Sequence, residues 1–256
     1  MNKEYVLITG ASSGIGYEFA KLYASQGRKL ILVARNVETL LELQQIYPQI
    51  EVISLDLSCL ENADKLYQMT KEKGYFVDLL INNAGVGVFG DFHQTSLASE
   101  VAMVNLNVQS LMILSKYYVQ DMLKRNVGCI LNVSSVAGEM PGGPMMSVYY
   151  ATKAFVTAFS MGLAYELKKT HVKVSVLAPG PTRTGFIKTA MQDASSTLFS
   201  RLKFQDPETV ARYAIKHLGK PLIVPGIMNK LMVYSGYFLP RSLVLFFVDR
   251  IQRAKS

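Results

Sequence analysis

The chain has 256 residues, half of them hydrophobic, and its formal net charge is +8. This size and composition allow a sizeable core and exclude a largely disordered chain, and the two cysteines exclude a disulfide-rich scaffold. The positive charge favours an anionic ligand, an acidic partner or a membrane surface, and it does not choose among them.

The histidines, the cysteines and the N-terminal residues further restrict the kind of protein and site that the chain can form. His93, His171 and His217 are scattered singly, so no metal site is predicted. Cys59 and Cys129 form no C-x-x-C pair, which fits a reducing compartment, and we expect a cytoplasmic protein with membrane association as the alternative. The opening MNKEYVLITG reaches a glycine too early for a signal peptide. The sequence has no basic runs interleaved with aromatic residues, so we do not expect nucleic acid as a partner.

Short apolar, β-branched runs alternate with amphipathic helical patterns along the chain. Such runs are typical of strands buried on both faces of a parallel sheet. The alternation predicts an α/β fold: a single domain with a doubly wound parallel sheet of about seven strands and helices on both faces. The predicted strands are 5–9, 29–34, 52–55, 78–82, 129–134 and 172–178, with a seventh near 221–226.

The turn between the first strand and the first helix reads TGASSGIG, with glycines at positions 10, 14 and 16. Glycine permits a tight turn and a close approach of the backbone to a ligand. The following helix N-terminus offers free N–H groups and a positive dipole to a pyrophosphate. In this strand–turn–helix context the pattern predicts a nucleotide site. The predicted contacts come from Gly10, Ser12, Ser13, Gly14, Ile15 and Gly16.

The ends of the next two strands bear on the choice of cofactor. Arg35 stands where an acidic residue would bind a ribose 2′-hydroxyl, and an arginine suits a 2′-phosphate instead. We therefore favour NADP(H), with NAD(H) as the alternative if Arg35 is only a surface charge. Asp56 and Leu57 follow the third strand, and Asp56 either bonds the adenine amino group or caps the next helix.

The stretch SVYYATKAF, residues 147–155, is predicted to begin a helix with two tyrosines close to one lysine. Residues three and four apart share a helix face, so spacing alone places Lys153 near both Tyr149 and Tyr150. A nearby ammonium and a cationic oxidised nicotinamide favour tyrosinate, so together they would lower the pKa of such a phenol.

These motifs, in their order, resemble those of the short-chain dehydrogenase/reductase family, and most closely its bacterial reductases of general function. The resemblance implies a Rossmann-type catalytic domain over residues 1–226 and the interconversion of a carbonyl and a secondary alcohol with NADP(H). It also implies a homodimer or homotetramer. The matching stretches are TGASSGIG (9–16), NNAG (82–85), NVSS (132–135), YYATK (149–153) and PGPTRT (179–184).

The family pattern Y-x-x-x-K selects Tyr149 and Lys153. The resemblance implies that Tyr149 donates the proton, and that Lys153 lowers its pKa and holds the nicotinamide ribose. Tyr150 is then a packing or pocket-wall residue. The serine that orients the substrate carbonyl is predicted to be Ser135. Ser135 precedes Tyr149 by one residue more than the catalytic serine of the family precedes its tyrosine, so Ser134 is kept as the alternative.

Further site residues follow from the same resemblance. Asn107 is predicted to support a water that links the lysine to solvent, with Asn105 as the alternative register. The other implied cofactor contacts lie after the fourth and sixth strands, at Asn83, Ala84, Gly85, Pro179, Gly180, Thr182 and Thr184.

Two segments bear on the substrate, which is expected to be an apolar carbonyl or alcohol. Residues 185–205 would form a lid, whose apolar residues line the pocket or only pack the lid onto the body: Phe186, Ile187, Met191, Leu198 and Phe199. The extension 227–256 is apolar from Leu231 to Val248, but Gly236, Pro240 and Arg241 interrupt it, so a spanning helix is not predicted.

We expect this extension to cover the pocket or an interface between subunits. Peripheral membrane contact is the alternative, with cations at the headgroups: Arg241, Arg250, Arg253 and Lys255.

Two rival functions follow from these features. One is a non-catalytic NADP(H)-binding regulator, and the other is a membrane-associated reductase of lipids or 3-oxoacyl groups.

Overall fold

In the computed structural model, which describes residues 4–185 and 204–253, seven parallel strands form one sheet. The spatial order is β3-β2-β1-β4-β5-β6-β7, so the chain reverses its direction of growth between β1 and β4. The predicted doubly wound parallel sheet is confirmed. The strands are β1 Glu4–Thr9, β2 Lys29–Ala34, β3 Ile50–Ser54, β4 Phe76–Asn82, β5 Gly128–Val133, β6 Val172–Leu177 and β7 Leu222–Ile223.

Helices cover both faces of the sheet. A π-helical turn at Asn105–Ser110 joins two of them into one long rod, and a short 3-10 turn at Val136–Glu139 follows β5. The helices are α1 Gly14–Ser25, α2 Glu38–Ile46, α3 Glu61–Glu72, α4 Leu97–Val104, α5 Leu111–Arg125, α6 Ser147–Glu166, α7 Pro207–Lys216, α8 Ile227–Phe238 and α9 Arg241–Arg253.

The two faces are built from alternate residues of the same strands. In β1, Val6 and Ile8 pack into one core with α1, α2 and α7, whereas Tyr5 and Leu7 pack into the other core with α3 and α5. Side chains alternate across a strand, so a strand buried on both faces must be apolar throughout. This explains why the predicted strands were continuous apolar runs.

The last strand is shorter than predicted. Only Leu222 and Ile223 of the predicted segment 221–226 pair with β6. Pro221 and Pro225 flank the pair, and proline has no N–H to donate to a ladder. Gly226 then turns the chain away with a φ of 87°.

Asp206 is the N-cap of α7. Its Oδ2 accepts a hydrogen bond from the Thr209 N–H at 2.9 Å, and Pro207 occupies the first helical turn. The apolar residues predicted for the lid, from Phe186 to Phe199, lie outside the described residues.

Among the described residues, one helical rod, Leu97–Arg125, has the length and composition to cross a membrane. Its α5 half packs Leu114, Tyr118 and Met122 into the core against the sheet. The apolar C-terminal extension instead forms two helices of 12 and 13 residues, α8 and α9, and each is shorter than a span.

Candidate active site

The loop between β1 and α1 has the geometry of an anion site. Gly10 and Gly14 have φ angles of 63° and 56°, in the left-handed region that favours glycine. In the described first turn of α1 there is no acidic residue, and the Ser13 side chain at the N-cap makes no capping hydrogen bond. The N–H groups at this helix end are therefore available to a phosphate, with the helix dipole in its favour.

Asn83, at the end of β4, holds the loop in place. Its Nδ2 donates to the carbonyl oxygens of Thr9 and Gly10 at 3.0 and 2.9 Å, and its own N–H donates to Thr9 Oγ1 at 3.1 Å. Gly16 lies behind the loop, since a Cβ there would collide with the Gly10 carbonyl oxygen and with Asn83 Nδ2. Gly16 thus permits the close packing of the loop against Asn83.

A cavity of about 630 Å³ runs from this loop across the carboxyl ends of the strands. In open α/β sheets ligands bind at this edge, where the strand order reverses. The predicted site residues that line the cavity are Gly10, Ser12, Ser13, Gly14, Ile15, Arg35, Asp56, Leu57, Asn83, Ala84, Gly85, Ser135, Tyr149, Lys153, Pro179, Gly180, Thr182 and Thr184. Gly16 and Asn107 stand behind this lining.

At one end of the cavity, Arg35 Nη1 lies 4.0 Å from Asp56 Oδ2, and the Arg35 side chain is 62% exposed. Asp56 Oδ1 accepts hydrogen bonds from the N–H and the hydroxyl of Ser58 at 2.9 and 2.7 Å. The helix α3 begins at Glu61 with Leu60 at its N-cap. The alternative in which Asp56 caps that helix is therefore wrong, because Asp56 closes a turn several residues earlier.

The loop after β6 forms another wall. Thr182 Oγ1 donates to the Gly180 carbonyl oxygen at 2.9 Å. Thr184 lies against the phosphate loop, because a Cβ on Gly14 would stand 2.7 Å from Thr184 Cγ2. Gly180 is packed against Asn229 of α8, whose Nδ2 donates to the Pro225 carbonyl oxygen at 2.7 Å.

Both candidate serines lie along the cavity, but their hydroxyls have different partners. Ser134 is buried, and its hydroxyl bonds the Lys153 carbonyl oxygen at 2.8 Å and Thr157 Oγ1 at 2.9 Å. Ser135 begins the short turn after β5, lines the cavity and makes a side-chain hydrogen bond with Tyr149. The structure therefore brings Ser135 to the tyrosine and anchors α6 to β5 with Ser134.

The tyrosine and the lysine share the inner face of α6, where Tyr149 is 9% exposed and Lys153 is 5% exposed. Lys153 Nζ donates to the Val133 carbonyl oxygen at 3.0 Å and lies 5.9 Å from the Tyr149 ring centroid. Burial raises the pKa of Tyr149 to about 12, although the bond with Ser135 acts in the opposite direction. Burial also lowers the pKa of Lys153 to about 8.

The direction of the tyrosine pKa differs from the sequence expectation, which was a decrease. Burial disfavours the charged form of both groups, so it penalises the phenolate and the ammonium alike. Sequence spacing identified the neighbouring charge but contained no measure of burial.

Asn107 lies in the π-helical turn and is buried beside the lysine. Its Oδ1 accepts from the Val86 N–H at 3.0 Å, and its Nδ2 donates to the Val86 carbonyl oxygen and to Thr152 Oγ1 at 2.9 and 3.1 Å. A Cβ on Gly85 would stand 3.1 Å from Asn107 Oδ1 and 3.3 Å from Lys153 Nζ, so glycine keeps the space between them open.

The alternative asparagine points elsewhere. Asn105 donates to the Ser58 carbonyl oxygen at 3.3 Å and accepts from Gln109 Nε2 at 2.8 Å. The structure thus brings Asn107, and not Asn105, to Lys153.

The second tyrosine has a partner that the sequence did not indicate. Tyr150 Oη accepts a hydrogen bond from Gln252 Nε2 of α9 at 3.0 Å, and its ring packs edge-on to that of Tyr149. Gln252 lines the cavity together with Met232, Val248 and Ile251, all from the C-terminal extension that was expected to cover the pocket or an interface. Met140 and Met146 also line the cavity, and sequence reasoning missed them. The spacing of Val244, Val248 and Gln252, four residues apart, was a signal for an inward face of α9.

Comparison with known proteins identifies the family of this chain. Residues 4–195 match the model of the short-chain dehydrogenase family. The uncharacterized oxidoreductase YvrD of Bacillus subtilis is 32% identical over 226 residues, covering 84% of this chain and 85% of YvrD.

Solved structures agree with this assignment. A short-chain dehydrogenase from Sphingobium yanoikuyae in complex with NADPH superposes with a TM-score of 0.80 at 28% identity, covering 92% of this chain and 93% of its own. A 4-hydroxyisoleucine dehydrogenase complexed with NADH, 24% identical, has the same fold, with a TM-score of 0.76 over 86% of this chain and 96% of its own. This protein is therefore an oxidoreductase of the short-chain dehydrogenase family.

Proposed function

We propose that the protein is an NADP(H)-dependent oxidoreductase that interconverts an apolar carbonyl compound and its secondary alcohol. The observation that carries this proposal is the meeting of Ser135, Tyr149 and Lys153 at one wall of the cavity whose other end is the anion-binding loop. Such an arrangement joins a dinucleotide site to a proton donor.

The residues present fit a nicotinamide dinucleotide. The glycine loop and the open N-terminus of α1 would hold the pyrophosphate, and Lys153 would hold the nicotinamide ribose. Arg35 would pair with a 2′-phosphate, since a guanidinium forms strong bonds to phosphate oxygens. A bound cofactor supplies the hydride chemistry, and the protein supplies orientation and proton transfer.

In the reduction direction, the hydroxyls of Tyr149 and Ser135 donate hydrogen bonds to the substrate carbonyl oxygen and orient it. As that oxygen gains negative charge, the Tyr149 hydroxyl proton moves to it, which leaves tyrosinate and the alcohol. The Lys153 ammonium stabilises the tyrosinate through their electrostatic attraction. Ser135 keeps its hydrogen bond to the substrate oxygen during this step, and the Tyr149 proton is restored from solvent.

The apolar wall supports the substrate class. Met140, Met146, Met232, Val248 and Ile251 line the cavity near the two tyrosines. Binding sites of this kind gain affinity by burying apolar surface, whereas a few polar groups fix the orientation of the ligand. A carbonyl flanked by apolar groups fits such a wall.

The cofactor part of the proposal is tested by Arg35→Ala. We expect the Kd for NADPH to rise by roughly ten- to hundredfold, because charge-assisted hydrogen bonds to the 2′-phosphate are lost. The Kd for NADH should change by less than about twofold. The measurement is a titration that follows nicotinamide fluorescence.

Arg212→Ala is the matched control, because the Arg212 side chain is 63% exposed and pairs with Glu208 within α7. It should leave both affinities unchanged. Equal affinity of the wild type for NADPH and NADH, or an unaltered NADPH affinity in Arg35→Ala, would contradict the assignment of Arg35.

The rate of carbonyl reduction is expected to fall as the pH rises through about 8. The pKa of Lys153 is lowered to about 8, so the ammonium is present below that pH and is lost above it. The Tyr149 hydroxyl, with a pKa of about 12, keeps its proton throughout and is not the source of the fall. We expect kcat/KM to be constant in acid and to drop about tenfold per pH unit in base.

The pH profile is checked with saturating cofactor between about pH 6 and pH 10. Lys153→Arg, whose guanidinium stays charged, should be slower but should lack the decrease. A wild-type kcat/KM that stays constant up to about pH 10 would show that the charge of Lys153 is not needed for proton transfer.

A cofactor-binding regulator without catalysis is the rival function. It would bind NADPH through the same loop and show no turnover with any carbonyl compound. A screen of apolar ketones and aldehydes with NADPH, scored by loss of absorbance, separates the two.

A further inference from the structure

The two C-terminal helices are apolar on faces that no described residue covers. On α8, Ile227, Leu231, Tyr234 and Phe238 recur at spacings of three and four, so they share one face, and all four are exposed. Helices on the surface of a globular protein normally carry polar residues on the outward face. The outward face of α8 departs from this pattern.

The same is true of α9. Leu243, Phe246 and Phe247 are exposed together, and the Phe246 and Phe247 side chains are 54% and 53% exposed and pack edge-to-face. The opposite face contains the buried Val244 and Gln252, which point toward the protein. The helix is thus apolar on both sides, with only one side used within the described structure.

We name the exposed residues of both helices the apolar platform: Ile227, Leu231, Tyr234, Phe238, Leu243, Phe246 and Phe247. Contiguous exposed apolar patches on soluble proteins mark surfaces that bind a partner or a membrane. Cationic residues outnumber acidic ones in the segment that carries the platform. Residues 227–253 contain one acidic residue, Asp249, which pairs with Arg253, and Arg253 also pairs with Asp91. The cationic excess of the segment therefore comes from Lys230, Arg241 and Arg250.

We propose that the apolar platform docks onto the surface of an anionic lipid bilayer. Helices with an apolar face and basic flanks lie in the interface plane, with the apolar side chains among the acyl chains and the cations at the headgroups. Arg241 and Arg250 are exposed at the N-terminus and near the C-terminus of α9, one on either side of the two phenylalanines. Their long side chains can reach headgroups while the phenyl rings are buried.

Charge argues for a bilayer over a second copy of this chain. In a two-fold symmetric dimer the same patch meets itself, so the excess cations of one copy would face those of the other. Like charges brought together across an interface oppose association. An anionic bilayer instead neutralises them.

Docking would also bring the substrate cavity close to the lipid. Met232 of α8, and Val248 and Ile251 of α9, line the cavity from the same two helices that carry the apolar platform. The bilayer and the substrate cavity would then lie on opposite sides of these two helices. The docking itself does not depend on the proposed catalytic function.

The test is flotation of the full-length protein with vesicles of phosphatidylcholine alone or with phosphatidylglycerol added. The wild type is expected to float with the anionic vesicles. Phe246→Ser/Phe247→Ser should lower the partition coefficient at least about tenfold, because two phenyl rings no longer enter the acyl layer. Leu41→Ser/Ile46→Ser, which alters two exposed apolar residues of α2, is the matched control and should bind as the wild type does.

A charge variant tests the platform without altering its apolar face. Arg241→Gln/Arg250→Gln should weaken binding to anionic vesicles roughly twentyfold, and Lys65→Gln/Lys216→Gln, which removes two exposed cations elsewhere, should not. Absence of wild-type flotation, or flotation unchanged in either platform variant, overturns the proposal. Sedimentation showing that Phe246→Ser/Phe247→Ser converts a wild-type dimer to monomers also overturns it, in favour of a second copy.

Discussion

Tyr149→Phe is expected to lower kcat for carbonyl reduction by about a thousandfold or more. The substitution removes only the hydroxyl that carries the transferable proton, and it keeps the ring that packs with Met103 and Ala137. The Kd for NADPH should change by less than about twofold, because the loop, Arg35 and Lys153 are untouched. The measurements are steady-state kinetics with NADPH and a fluorescence titration of the cofactor.

The neighbouring tyrosine provides a matched control. Tyr150→Phe removes a hydroxyl from the same helix turn, but that hydroxyl bonds Gln252 instead of Ser135. We expect its kcat to stay within about threefold of the wild type, in line with the loss of one ordinary hydrogen bond. Near-normal turnover in Tyr149→Phe, or an equal loss in both variants, would refute the assignment of the proton donor.

Gly16→Ala is expected to weaken NADPH binding by about a hundredfold or more. The new methyl group would collide with the Gly10 carbonyl oxygen, which is backbone, and with Asn83 Nδ2. The loop must move away from β4 to make room, and this breaks the two bonds from Asn83 that fix its shape. Overpacking of this kind also lowers the free energy of unfolding by about 1–3 kcal/mol.

The control for this variant is Gly162→Ala in α6. A Cβ at Gly162 meets no atom within 4 Å. Alanine inside a helix should raise the free energy of unfolding by about 0.5–1 kcal/mol and leave NADPH binding unchanged. Thermal unfolding and the cofactor titration are measured on both variants. Wild-type NADPH affinity in Gly16→Ala would show that the loop tolerates displacement and that its geometry is not what binds the phosphates.

The two tyrosines and the lysine of α6 show what local sequence patterns can predict and what they cannot. Spacing placed Lys153 on the face of both tyrosines, and only the family pattern separated Tyr149 from Tyr150. In the structure the distinction comes from elements remote in sequence. The turn after β5 presents Ser135 to Tyr149, and the last helix presents Gln252 to Tyr150 across 102 residues.

The sequence by itself determined the order of strands and helices and the glycine loop, and it placed Lys153 on one helix face with Tyr149 and Tyr150. These features are local: periodicity follows from burial on one or two faces, and glycines mark the positions where the backbone needs unusual angles.

The tertiary structure decided which of two neighbouring candidates joins the tyrosine and the lysine. It brought Ser135 to Tyr149 and Asn107 to the side of Lys153, and it directed the side chains of Ser134 and Asn105 to other hydrogen bonds. It also set the raised pKa of Tyr149 and the lowered pKa of Lys153, and it left one face of α9 apolar and exposed. Each of these outcomes depends on burial and on contacts between distant segments, which no local pattern of residues encodes.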